Sequence, residues 1–242
     1  MASKERQIQR WNNLQQPCDT HLRCAICDYN DLNEKFEKLY SRDMFYAGII
    51  VRHKCPNCGV IYGDLRFINL SEEEIRNDHD DLYSYYSEGD TTPYIIENLN
   101  SLELFKNKKL SYLDYACGIG SVLPIFKNNG YNICGYDYYV KNQNVLNNID
   151  NMKFDVIYTN NFIEHVTNPI EDIKKILQHL NNDGYLIIIS DCFDEYKIEY
   201  THYHLYFYTG NSFNILCEKL NLNIIESKTI GPCKIKVLQI KK

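Results

Sequence analysis

The chain has 242 residues, 44% of them apolar, enough for one large domain or a medium one with a small companion. Its formal charge is −6, which argues against a nucleic-acid partner, because phosphates call for a basic face. The longest apolar run near the C-terminus, Leu186–Ile189, is far too short to cross a bilayer, and the polar stretch 1–16 has no apolar signal core, so a soluble, cytoplasmic protein is expected.

Residues 1–17 read as a loose polar helix or tail with one apolar spot at Trp11 and Leu14. Of the ten cysteines, five fall within the first 58 residues, and four of these form two C-x-x-C pairs, Cys24-Ala-Ile-Cys27 and Cys55-Pro-Asn-Cys58. Each pair makes a tight knuckle that offers two thiolates, with Gly59 relieving the second turn. Two knuckles suit one tetrahedral zinc ion, and a closed four-thiolate site is structural. The 27 residues between the pairs exceed the usual spacing, and a hairpin with strands at 36–40 and 49–52 would absorb them. Cys18 and His53 are alternative ligands nearby, although neither completes a knuckle. A segment of this size buries too little surface to fold alone, so the metal would supply folding energy. The expected first domain is therefore a zinc-binding one over 18–70. The other cysteines stand singly, mostly beside apolar neighbours, as buried thiols do.

The second domain is expected over 71–242, beginning with an acidic, Tyr-rich connector, 71–109. Ser71 and Glu74 fit a capping box. Thr92-Pro93 starts a helix whose apolar face carries Ile95, Ile96, Leu99 and Leu102. The stretch around which the chain is organised follows: a strand over 110–115, the turn Asp114-Tyr-Ala-Cys-Gly-Ile-Gly120, and a helix over 121–127. Strand, small-residue turn and helix in that order bring backbone close to a ligand at a helix N-terminus. A dinucleotide fingerprint would need a third glycine where Leu123 stands. A second strand, 131–136, ends at Asp137, 23 positions after Asp114, where a carboxylate can hold a ribose diol. Only 17 residues separate Asp137 from Asp155. The helix and strand normally found there are expected to shrink to a turn and a short edge strand at 145–146, with Asn148 and Asp150 as candidate adenine contacts.

A buried strand over 154–160 leads into Asn161-Phe162-Ile163-Glu164-His165-Val166-Thr167-Asn168-Pro169. A helix over 170–180 stops at Asp183-Gly184, and Leu186–Ser190 forms the fifth strand, nearly all apolar as central parallel strands are. Then come Thr201–Thr209, a helix capped by Ser212, and two closing strands at 223–227 and 234–240.

The Asp114–Gly120 turn resembles motif I of class I S-adenosylmethionine (SAM) methyltransferases, D-x-G-x-G-x-G, with Ala116 at the first glycine. The stretch 154–169 resembles the F-D-x-(I/V)…E-H-(V/L)-x-(N/D)-P region of small-molecule members, and His204–Thr209 their H-x-x-(F/Y)-(F/Y)-(S/T) stretch. The resemblance implies an α/β fold, a Rossmann-like seven-stranded methyltransferase sheet reduced around its third strand, behind a small zinc-binding domain on Cys24, Cys27, Cys55 and Cys58. It implies SAM bound by Asp114, Ala116, Cys117, Gly118 and Gly120, by Asp137 and Tyr138, and by Asn160. Proton removal from an acceptor would fall to His204, with His165 as rival and Glu164 as orienter; His202 ranks behind them. A four-cysteine segment before this fold resembles enzymes acting on sugars, so the expected acceptor is a sugar hydroxyl on a nucleotide-sugar or glycan. The other readings are a methyltransferase for another small molecule or a nucleic acid, and a zinc-ribbon interaction module with an inactive SAM fold. An amino-methylating N-P-P-Y motif is missing after the fourth strand, where Asn160-Asn161-Phe162-Ile163 stands.

Overall fold

The computed structural model describes residues 2–15, 22–31, 35–87, 89–197 and 200–242; Cys18 lies outside them. In chain order the elements are α1 (Ser3–Asn13), β1 (Glu37–Arg42), β2 (Ile49–Lys54), β3 (Ile61–Gly63), α2 (Leu65–Ile68), α3 (Glu72–Tyr83), α4 (Thr92–Asn100), β4 (Ser111–Tyr115), α5 (Leu123–Asn128), β5 (Asn132–Tyr136) and β6 (Val145–Leu146). They continue with β7 (Phe154–Asn160), α6 (Pro169–Leu177), β8 (Leu180–Ser190), β9 (Phe193–Asp194), β10 (Tyr206–Thr209), α7 (Ser212–Lys219), β11 (Leu222–Ile230) and β12 (Cys233–Ile240).

The chain forms two compact units that do not follow its linear order. One comprises residues 1–89, 164–169 and 192–216; the other comprises 90–163, 170–191 and 217–242. The sequence reading drew a single boundary between residues 70 and 71. Here α3 and the segment around His204 group with the four-cysteine region instead.

The first unit is built on a five-stranded sheet, β1-β2-β3-β10-β9. The predicted hairpin is β1 and β2, antiparallel with Leu39 opposite Arg52. β10 joins it antiparallel to β3, with Tyr206 opposite Tyr62. Trp11 of α1 is buried and donates from Nε1 to Asp78 Oδ1 of α3 at 2.8 Å. The expected capping box opens α3: the Ser71 hydroxyl accepts from Glu74 N, and the Glu74 carboxylate accepts from Ser71 N at 2.8 Å.

The second unit holds the expected seven-stranded sheet, in the order β11-β12-β8-β7-β4-β5-β6. Five strands, β8-β7-β4-β5-β6, run parallel, and β12 and β11 close the sheet as an antiparallel hairpin. Val156, Ile157 and Tyr158 of β7 and Ile187 and Ile189 of β8 are fully buried, as strands covered on both faces must be. Leu99, Leu102, Phe105 and Phe126 pack into the same core. The reduction around the third strand is real: β6 has two residues, and no helix lies among residues 137–153. Two boundaries differ from expectation. α6 ends at Leu177, and Leu180 already belongs to β8, where it pairs with Phe154. Ser212 lies inside α7 rather than capping it, because its hydroxyl donates back to Thr209 O at 2.7 Å.

Candidate functional site

Two in-register parallel strands build the candidate ligand edge of the second unit. Asp114 of β4 pairs with Gly135 of β5, and Tyr115 with Tyr136. Asp137 therefore emerges one residue beyond the last pair, next to the turn that leaves β4. That turn needs left-handed backbone at three places: Ala116 at φ +61°, Gly118 at +55° and Gly120 at +74°. Its amides are tied to the neighbouring strand. Ala116 N and Cys117 N donate to Tyr136 O at 2.8 and 3.2 Å, and Gly118 N donates to Asp137 Oδ2 at 2.9 Å. The other oxygen, Oδ1, accepts from Tyr139 N and Val140 N, both at 2.8 Å.

The electrostatics of this edge are set by burial. Desolvation pushes the Asp114 carboxyl up to about 7; the Tyr158 hydroxyl opposes the shift and the Asp137 charge adds to it. Burial also lifts the Cys117 thiol above its ordinary value, with Asp114 and Asp137 reinforcing it. A Cβ at Gly118 would meet nothing within 4 Å, so the turn leaves open space there. Gly135 is a requirement that sequence reasoning missed: a Cβ on it would lie 2.7 Å from Cys117 Sγ. Its only signal was a glycine inside a strand pattern. Tyr138 is exposed, and Asn160 closes β7 opposite Ile189. A cavity of about 450 Å³ lies at the start of β7, around Lys153, Asp155 and Asn181. That is the amino end of the parallel strands, whereas α/β ligand sites form at the carboxyl ends, so it is set aside.

In the first unit the four predicted cysteines converge. Their sulfurs all lie within 4.8 Å of one another, with Cys24 Sγ 3.6 Å from Cys58 Sγ and Cys27 Sγ 3.6 Å from Cys55 Sγ. Four sulfurs bound tetrahedrally at about 2.3 Å would stand about 3.8 Å apart, so the set fits one zinc ion with little movement. The two knuckles are matched: Asp28 N donates to Cys24 O at 2.9 Å and Gly59 N to Cys55 O at 3.0 Å, and both residues have positive φ. The Cys55 sulfur is held well below the ordinary thiol value by hydrogen bonds from Cys24 and Cys58. His53 is buried but is not part of this group. The second knuckle sits against the turn after β10, where a Cβ on Gly210 would lie 2.7 Å from Cys58 O.

The histidines named by the sequence also lie in the first unit. The rings of His165 and His204 meet edge to face at 4.9 Å. His165 Nδ1 lies 3.1 Å from Tyr203 O, and His204 Nδ1 lies 3.6 Å from Cys192 Sγ. Glu164 is fully buried, and with the two rings it brings an oxygen and two nitrogens within 4.8 Å of one another. Burial, and then the Arg52 charge, pull His204 down to about 4. His202 is buried against Asp43, with Nδ1 2.9 Å from Asp43 Oδ1; nothing in the local sequence pointed to that partner.

Residues 88–227 match the family model described as "Methyltransferase domain". The fold is similar to that of the Burkholderia thailandensis 1,6-didemethyltoxoflavin-N1-methyltransferase, solved with 1,6-didemethyltoxoflavin and S-adenosylhomocysteine bound. The TM-score is 0.58 at 14% identity, over 79% of this chain and 99% of that one. The mitomycin 7-O-methyltransferase MmcR gives 0.51 at 11% identity, over 69% of this chain and 57% of that one. No curated protein gives a significant match. Among the described residues no helix is long and apolar enough to cross a membrane.

Proposed function

The chain belongs to the methyltransferase-domain family and is a methyltransferase, and from that premise we propose that it methylates a sugar hydroxyl with SAM as the methyl donor. The observation that carries the cofactor is the Ala116–Gly120 turn beside Asp137. The turn leaves open space at Gly118, and Asp137 keeps acceptor capacity on Oδ2, which takes a single amide. Asp114, with its carboxyl near 7, gains from a cationic ligand that favours its ionised form. Asp114, Ala116, Cys117, Gly118 and Gly120 would line the cofactor, with Asp137 and Tyr138 at its ribose and Asn160 after β7. When bound, SAM supplies a methyl group on a positively charged sulfur that needs no further activation.

What remains for the protein is to orient the acceptor and to take its proton. Glu164, His165 and His204 are the side chains that the resemblance nominates. The sugar acceptor is supported by the pairing of a four-cysteine segment with this fold, and the four thiolates hold one structural zinc ion. Calorimetry tests the cofactor first. S-adenosylhomocysteine should bind with micromolar affinity, and Asp137→Ala should weaken it about ten-fold or more, the size of one charged hydrogen bond. Absence of binding by the intact protein, or preference for NAD, overturns the reading. Turnover with nucleotide-sugar pools then tests the acceptor.

A further inference from the structure

β11 closes one side of the seven-stranded sheet, with β12 as its only strand neighbour among the described residues. The outward side of such a strand carries backbone N–H and C=O groups that no neighbouring strand takes up. At nine residues β11 is second in length only to β8 in that sheet, and more than half of it is exposed. Its pairing with β12 slips once, between Ile224 and Glu226, and Ile225 stands 53% exposed at the slip. From Glu226 to Ile230 the pairing is uninterrupted. The strand's two charges lie in this regular part, with Lys228 Nζ 3.4 Å from Glu226 Oε1.

Their spacing decides what the edge can meet. Glu226 and Lys228 lie opposite Val237 and Ile235 of β12, so both stand on the face that carries the apolar core. Ser227 lies between them on the other face, opposite Lys236. Lys228 Nζ donates to Ser101 O at 2.6 Å, and Lys236 Nζ donates to Ser227 Oγ at 3.0 Å, which fixes the two rows. A guard of one charge sign would repel a second copy of itself. An acid and a base two positions apart complement their own copy instead.

Two identical strands pair antiparallel about a two-fold axis only when the axis passes through a residue. Any other register would join the core face of one copy to the opposite face of the next. Centred on Glu226 or on Lys228, the axis sets that residue against its own copy, like charge on like. Centred on Ile225 it falls on the slip, and centred on Thr229 it runs into the turn at Gly231 and pairs no charges. Centred on Ser227, it sets Glu226 opposite Lys228 of the second copy, and Lys228 opposite Glu226.

We propose that β11 pairs antiparallel with β11 of a second copy about Ser227, joining two seven-stranded sheets into one. The four charges alternate around the axis, so each carboxylate is flanked by two ammonium groups. Ile225 is covered by Thr229 of the second copy, and the open ladder is filled. The contact spans few residues, which makes the dimer weak and reversible rather than obligate. It stands apart from the methyl-transfer reading and survives the failure of that reading.

The test uses the full chain under reducing conditions. Light scattering across the micromolar range should show the mass rising from monomer to dimer. Glu226→Lys and Lys228→Glu each set like charges opposite one another, and each should weaken association about ten-fold. Mixed, the two variants should associate again, because every lysine at these positions then meets a glutamate. Ser227→Cys puts two thiols on directly opposite residues, about 4.5–5.5 Å apart between Cα atoms and within disulfide reach. Mild oxidation should link it as a dimer, whereas Thr229→Cys, out of register with its own copy, should link no more than the natural chain. A natural chain that stays monomeric overturns the proposal. So does a mixture that associates no better than its components, or equal linking of the two cysteine variants. Should a charge variant fail to fold, the cysteine pair decides alone, since neither replacement alters a charge.

Discussion

The two sheets hold themselves together by different means. In the seven-stranded sheet β7 and β8 bury long apolar runs, and fifteen buried residues from Ile95 to Val237 form one continuous core. The first unit has a largely exposed first strand, yet it too buries apolar side chains, among them Trp11, Ile50, Val60, Phe67, Leu205 and Phe207. Much of its interior is polar: Arg52, Asp43, His202 and Gln7 are all buried. Buried polar groups of this kind are tolerated only while their hydrogen bonds persist. The four sulfurs, drawn from residues up to 34 positions apart in sequence, are placed so that the proposed zinc ion would cross-link this interior. The difference teaches that one unit rests on an apolar core, while the other combines apolar burial with buried polar groups and a converged set of thiols.

The largest expected effect breaks that contrast directly. Cys55→Ser removes one of four zinc ligands, and a structural zinc site contributes folding energy outright. Elemental analysis should fall from about one zinc per chain to near none. Amide exchange should then become fast in β2, β3 and β10 while β4, β7 and β8 stay protected. Equal protection of β10 in the variant, or a wild-type chain without zinc, would show that the first unit does not depend on ligation.

Legibility followed the same division. The second unit could be read because its signals are local: Asp114–Gly120 at a strand end, Asp137 after the next strand, and apolar runs that can only be central strands. The short β6 was legible as well, since 17 residues leave no room for a helix and a full strand. In the first unit the two knuckles were equally plain, because C-x-x-C is a local pattern. What escaped was non-local. The sequence marks Tyr206–Thr209 only as part of a stretch before the last helix, and gives no sign that it pairs with Ile61 and Tyr62. Asp43 and His202 are 159 positions apart, and no periodicity links them. Gly135 escaped for a third reason, since its role depends on the thiol of a residue in the adjoining turn.

A smaller effect sharpens the comparison inside the burial-stabilised unit. Asp114 is held near 7 in the fold, by burial first, against 3.8 for the group in water. The folded chain therefore binds more protons than the unfolded one between those values, and stability falls as pH rises through that window, then levels off. At about 1.4 kcal/mol per pH unit, the loss above pH 7 is on the order of 4 kcal/mol. Asp114→Asn should recover most of it at pH 8 and almost none at pH 4, read from urea unfolding followed by β4 and β7 amides. The variant should also lose affinity for S-adenosylhomocysteine, trading function for stability as site residues do. Equal stabilisation at both pH values would mean that the carboxyl is not desolvated.

The smallest effect concerns Ala116 and Gly118, which hold nearly the same backbone angle with different side chains, at φ +61° and +55°. Left-handed backbone costs an L-residue roughly 1–2 kcal/mol, while glycine loses about 0.5–1 kcal/mol through its freer unfolded chain. Ala116→Gly should therefore stabilise the second unit by about 0.5–1 kcal/mol, a rise in Tm of a few degrees at this chain length. Gly118→Ala should destabilise by a similar amount, and by strain alone, because its Cβ would meet nothing within 4 Å. The pair separates stability from binding. The methyl group of Gly118→Ala would stand in the open space assigned to the cofactor, so S-adenosylhomocysteine affinity should fall, whereas Ala116→Gly should keep it. Matched thermal melts and calorimetry decide the matter. If Ala116→Gly destabilises, the turn's amide ties to Tyr136 O do not hold it left-handed; if Gly118→Ala binds as tightly as the natural chain, the cofactor does not pass over this turn.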